Sequence, residues 1–124
     1  MTILLCINED FLLTSLEYRF RKNGWNMEVA HDATSAIQKA KDLQPDLILV
    51  DLRLPEYEGL DIVQNIAKEA CPGVPILVGA PLDEDNLMME GLRLGAKDFI
   101  IAPFKPAEIV LRIRHLLNTV KVAG

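Results

Sequence analysis

Apolar positions along this chain fall into two alternating patterns. Continuous runs at 3–7 (ILLCI), 47–50 (LILV), 76–78 (ILV) and 99–101 (FII) contain no polar residue, which predicts strands covered on both faces. Trp25, Met27 and Val29 alternate with polar neighbours, the pattern of a strand with one open side, and place a further strand at an edge. Between these runs the apolar residues recur at three- and four-residue steps. Leu12, Leu13, Leu16 and Phe20 form the first such stripe, and Ala33, Ala36, Ile37 and Ala40 the second. Leu60, Val63, Ile66, Ala67 and Ala70 form the third, Leu87, Met88, Gly91 and Leu92 the fourth, and Ile109, Ile113, Leu116, Leu117 and Val120 the last. Each predicts an amphipathic helix.

The punctuation agrees with this division. Gly24, the sequence Leu43-Gln44-Pro45, Pro72-Gly73 and Gly95 stand where helices should stop, and Pro106 stands where one can begin. The acidic cluster Asp83, Glu84 and Asp85 is expected to open the fourth helix, because negative charge suits the positive end of a helix dipole. Met88 and Met89 are adjacent, so both cannot face the core, and one is expected to be free for a partner surface.

Five strand–helix units in succession predict an α/β domain: a parallel sheet with helices on both faces. The chain has 124 residues, half of them apolar and a quarter charged, which suits one globular domain over 1–124. Thirteen basic against eighteen acidic residues give a net charge of −5, the wrong sign for a general nucleic-acid or membrane-surface binder. No run approaches the ~20 apolar residues of a membrane span. The opening MTILLCINED lacks a basic segment and a small-residue cleavage site, so the expected location is the cytoplasm. Cys6 and Cys71 form neither a disulfide framework nor a metal-pair spacing.

In an open parallel sheet, ligands bind beyond the carboxyl ends of the strands. The residues there are Ile7, Asn8, Glu9 and Asp10, then Asp51, Leu52, Arg53 and Leu54, then Gly79, Ala80 and Pro81, and finally Ala102, Pro103 and Phe104. Neither GxGxxG, nor GxxxxGK[ST], nor GxSxG occurs, so dinucleotide, P-loop and nucleophile-elbow sites lack support. His31 and His115 are far apart in sequence and read as solvated imidazoles.

Four segments carry a more specific signal. ILLCINEDFLLTSLEYRF, PDLILVDLRLPEYEGLDIV, VPILVGAP and LGAKDFIIAPFKPAEIVLRI, in that order and spacing, resemble the receiver domain of two-component response regulators. The resemblance implies a flavodoxin-like (βα)5 fold with strand order 2-1-3-4-5. It implies a phosphoacceptor carboxylate at Asp51, with the family's downstream Pro and Gly at Pro55 and Gly59. It also implies a switch aromatic at Phe99 and a cis bond at Ala102-Pro103. In the family an acidic pair after strand one, the acceptor and a backbone carbonyl two residues beyond it hold Mg²⁺. A hydroxyl after strand four and a lysine after strand five hold the phosphoryl group.

Set on that pattern, the accessory positions read differently. Ile7 and Asn8 stand at the acidic pair in the gapless alignment, which keeps Leu12, Leu16 and Phe20 in better register than the one-residue shift that would put Asn8 and Glu9 there; Ala80 stands at the hydroxyl and Ala102 at the lysine. A metal would be left with Glu9, Asp51 and the backbone carbonyl of Arg53, a weakened set; otherwise Glu9 and Asp10 simply cap the first helix. Losing one preorganised donor slows such chemistry by roughly 10²-fold or more. The leading expectation is therefore a non-enzymatic receiver module that binds protein partners without phosphorylation. Its partners would be a histidine kinase or a downstream effector, met through the fourth helix, fifth strand and fifth helix, with homodimerisation left open. A slow but genuine aspartyl-phosphate acceptor is the second reading, and a flavodoxin-like small-molecule binder the third.

Overall fold

The structure is a computed structural model. It describes the backbone of residues 1–123 and their side chains apart from Tyr57 and 119–123, so Val120 of the expected last stripe lies outside the described side chains. Strand β1 (Thr2–Cys6) is followed by helix α1 (Asp10–Lys22), β2 (Asn26–Ala30), α2 (Ala33–Leu43) and β3 (Leu47–Asp51). After a 3-10 turn at Pro55–Tyr57 come α3 (Glu58–Asn65), β4 (Ile76–Ala80), α4 (Asp85–Leu94), β5 (Asp98–Ile101) and α5 (Pro106–Ala123). All strand pairs are parallel, in the order β2-β1-β3-β4-β5. That is the expected topology, with the alternating strand at one edge.

Strand alternation divides the core in two. Leu4, Cys6, Ile48, Val50, Ile76 and Val78 face α2 and α3, where they meet Ala36, Ala40, Ile62, Val63 and Ile66. Ile3, Leu5, Leu47, Leu49 and Leu77 face α1 and α5, where they meet Leu16, Phe20, Ile109 and Ile113. Continuous apolar strands arise because both sets must be buried at once. Both cysteines are free and buried, and burial pushes the Cys6 thiol up to about 12, with Lys39 opposing weakly.

The helix ends follow local chemistry. Asp32 caps α2, its carboxylate accepting from the Ser35 N–H at 2.7 Å, and the Glu58 carboxylate accepts from the Ala33 N–H. Gln44 ends α2 in the left-handed region (φ 46°) and sends its side-chain amide to the Ala70 carbonyl at 2.9 Å. Asp32→Ala is expected to destabilise the domain by about 1 kcal/mol, measured as a lower urea midpoint. Glu58→Ala, which frees the other first-turn donor, should act in the same direction.

Two details depart from the sequence expectation, and a third, at the paired methionines, agrees with it. The third helix does not stay α-helical to Ala70 but widens into a π-helical turn over Ile66–Ala70, which periodicity cannot distinguish from a continuing helix. The fourth helix begins at Asp85, not Asp83. Asp83 sits in the left-handed region (φ 68°), and Glu84 occupies the cap position without a side-chain capping bond. Of the two methionines, Met89 is the exposed one, at 60%.

Candidate functional site

The strand ends converge on Asp51. It is the last residue of β3, paired with Gly79 of β4, and is 4% exposed, the one buried charged residue among those described. A buried carboxylate without partners is strongly disfavoured, and here the partner comes from two residues along the chain. The Arg53 backbone N–H donates to Asp51 Oδ1 at 2.8 Å. Arg53 Nε donates to Oδ1 at 3.0 Å and to Oδ2 at 3.2 Å, and Nη2 donates to Oδ2 at 2.9 Å. The same Nη2 donates to Glu9 Oε2 at 2.5 Å. The guanidinium therefore ties the end of β3 to the start of α1.

An aromatic ring covers that guanidinium. Arg53 Cζ lies 4.2 Å from the Phe104 ring centroid, a cation–π geometry whose attraction grows when the cation is partly desolvated. Phe104 can lie there because β4 carries glycine beside it: a Cβ on Gly79 would stand 2.4 Å from the Phe104 Cζ. Hydrogen bonding by Asp51 is the largest influence raising the Arg53 pKa above its ordinary value, with Glu9 adding to it and partial burial opposing. Gly59 has a geometric reason as well, since a Cβ there would stand 2.9 Å from the Asp51 carbonyl oxygen and 3.0 Å from the Leu52 Cα.

The other residues singled out from the sequence are placed as follows. Ile7 is fully buried in the core cluster beneath α1 and α5 and takes no part in the cleft. Asn8 lines the cleft together with Glu9, Asp51, Arg53, Leu54 and Pro55, but its amide is spent on the end of β2. Asn8 Nδ2 donates to the His31 carbonyl at 3.3 Å, and its Oδ1 lies 2.8 Å from His31 Nδ1. His31 is exposed, as expected of a solvated imidazole, and borders the site through this contact. Ala80 is buried, and its carbonyl accepts from the Ala102 N–H at 2.8 Å, so methyl groups stand at both of these strand ends. Phe99 is half-buried against the α2/α3-side core, opposite Val78 in the strand register. The Ala102-Pro103 bond is cis.

These residues do not fit Mg²⁺. The ion requires about six oxygens in near-octahedral array, and among the described residues no group of three or more His, Cys, Asp or Glu is placed to hold a metal. Glu9 and Asp51 do come together, as the metal reading required, but around the Arg53 guanidinium. Arg53 enters the cleft through its backbone N–H and its guanidinium. Nor does Glu9 make a side-chain cap on α1; its carboxylate goes to Arg53. Sequence reasoning passed over the Arg53 side chain, the Phe104 ring and His31.

A sheet of this order with a buried aspartate at the end of its middle strand defines a class, and the comparisons name it. Residues 3–114 match the response regulator receiver domain model, and the chain belongs to that family. It is 35% identical over 118 residues to the probable transcriptional regulatory protein TcrX of Mycobacterium tuberculosis, covering 95% of this chain and 50% of that protein. It is 33% identical over 111 residues to the chemotaxis protein CheY of Thermotoga maritima, covering 87% of this chain and 90% of that one. The chain thus spans half the length of TcrX and most of CheY. Among solved structures it resembles the receiver domain of the sensor histidine kinase PA1611 from Pseudomonas aeruginosa PAO1, a structure with magnesium coordinated in its active-site cleft. That match has 26% identity and a TM-score of 0.80, over 94% of this chain and 97% of that one. No helix among the described residues is long and apolar enough to cross a membrane.

Proposed function

We propose that this receiver domain signals by binding protein partners and does so without phosphorylation of Asp51. One observation carries the reading: both Asp51 carboxylate oxygens accept hydrogen bonds from Arg53, while Ala80 and Ala102 stand where the family places the groups that hold a phosphoryl ligand. Phosphoryl transfer depends on positioning and charge stabilisation. A nucleophile engaged by a guanidinium, with no hydroxyl or lysine opposite, supplies little of either. The domain then performs no chemical step of its own and acts in the cytoplasm as a docking module. Its partner is a histidine kinase or a downstream effector. The face spanning α4, β5 and α5 suits such contacts, because Met89, Ile101 and Leu111 are exposed at 60%, 41% and 62%, while α4 and α5 stay anchored by buried residues such as Gly91 and Ile113.

Incubation with acetyl phosphate or a phosphoramidate plus Mg²⁺, followed by intact-mass measurement, tests the reading. The expected result is an unchanged mass. A stoichiometric gain of one phosphoryl group, abolished by Asp51→Asn, would overturn it; if the gain were slow, the protein would be a low-rate acceptor instead.

A further inference from the structure

The cleft that fails the test for Mg²⁺ is not simply an emptied metal site. Its two remaining carboxylates, Asp51 and Glu9, both bond to one positive group. That group is planar, carries its donors in a fixed fork and stays charged at every physiological pH. One of its faces is covered by Phe104. The fork meets Asp51 side-on through Nε and Nη2, the bidentate arrangement that makes arginine–carboxylate pairs strong and geometrically defined.

We infer that Arg53 is the domain's own counter-cation: its guanidinium neutralises Asp51 and Glu9 in place of a divalent metal, excludes such a metal from the cleft and makes the cleft's structure independent of metal. A divalent ion bound at Asp51 and Glu9 would have to displace a cation already tethered to the chain. Tethering makes the guanidinium's return to the carboxylates intramolecular, so the metal competes against a cation that never leaves the cleft. The inference deepens the phosphorylation-independent reading, and rests on it only in taking the cleft as a structural rather than a catalytic element.

Manganese serves as the probe, because it is divalent, oxygen-seeking and paramagnetic, and the experiment contains no phosphodonor. In ¹⁵N-correlated spectra, millimolar Mn²⁺ is expected to leave the amides of Asn8, Glu9, Asp51 and Arg53 in the wild-type domain no more broadened than exposed acidic surface amides. Arg53→Ala should make Mn²⁺ broaden the site amides selectively, with an apparent affinity at least tenfold above that of the wild type. Adding Asp51→Asn should abolish that gain. Thermal unfolding gives a second readout: a ligand that binds only the folded state raises the midpoint, so Mg²⁺ should raise it for Arg53→Ala and not for the wild type. If Arg53→Ala and Arg53→Gln do not fold alone, Mg²⁺ should restore folding.

Selective broadening in the wild type equal to that in the variant would overturn the inference. So would variants that show no gain in metal binding, or unfolded variants that Mg²⁺ does not restore. The outcome is separable from that of the mass experiment. A wild type that excludes Mn²⁺ yet gains a phosphoryl group overturns only the phosphorylation-independent reading. One that binds Mn²⁺ at the cleft and gains no phosphoryl group overturns only the role of Arg53.

Discussion

Replacing Phe20 by alanine is expected to lower the unfolding free energy by about 3–5 kcal/mol, a large part of the ~5–15 kcal/mol that holds a domain of this kind folded. Phe20 is fully buried and is among the largest side chains in the core beneath α1 and α5. Its ring meets Trp25 edge to face, with centroids 5.3 Å apart and planes 78° apart, so the substitution removes both volume and an aromatic contact. Leu16, Leu5 and Ile113 of the same cluster belong to separate elements (α1, β1 and α5), so closing the gap would require those elements to shift. Urea unfolding followed by circular dichroism measures the effect. The fluorescence of Trp25, the single tryptophan, reports the loss of its neighbour. A midpoint that falls with an unchanged denaturant slope is the expected signature; a loss below about 1 kcal/mol would show that α1 settles into the space.

Gly59→Ala provides the second large effect, and here two contributions oppose each other. Glycine within a helix is worse than alanine by about 1 kcal/mol, and Gly59 lies in α3, so propensity alone favours the substitution. The new Cβ, however, would stand 2.9 Å from the Asp51 carbonyl oxygen and 3.0 Å from the Leu52 Cα. Both are backbone atoms that cannot rotate away. Overpacking of this kind costs about 1–3 kcal/mol, so net destabilisation is expected. The Asp51 and Leu52 amide signals should also move, because the backbone carrying the aspartate must shift. A stabilised variant with unmoved amides would show that the helix can slide outward.

How much could be read from the sequence depended on distance along the chain. The strands were legible because burial on two faces forces residues such as 47–50 to be apolar without interruption, and the edge position of β2 because Trp25, Met27 and Val29 alternate. Asp51 was legible as the first polar residue after the run that becomes the middle strand. The arrangement around it was not. Whether the long, flexible Arg53 side chain turns outward or back is decided by Glu9 and Phe104, which come from the loops after β1 and β5 and become neighbours only once the sheet has formed. Asn8 and His31 meet for the same reason, since Cys6 and Ala30 are paired residues of adjacent parallel strands. The π-helical turn at Ile66–Ala70 keeps its apolar residues buried, so its sequence reads like any helix end.

Ile7 has a consequence for how this cleft could change over time. The gapless alignment with the family puts it where an acid is expected, yet its side chain is a fully enclosed part of the core beneath α1 and α5. An acid there would join the apolar cluster that also holds Leu12, Leu16 and Ile109, and a lone carboxylate in such a cluster is strongly disfavoured. Releasing Asp51 from Arg53 therefore does not rebuild an acidic pair: for that, Ile7 must also leave the core, and something must fill its place. The packing of Ile7 thus bars an acid from that strand end on its own account, whatever Arg53 does.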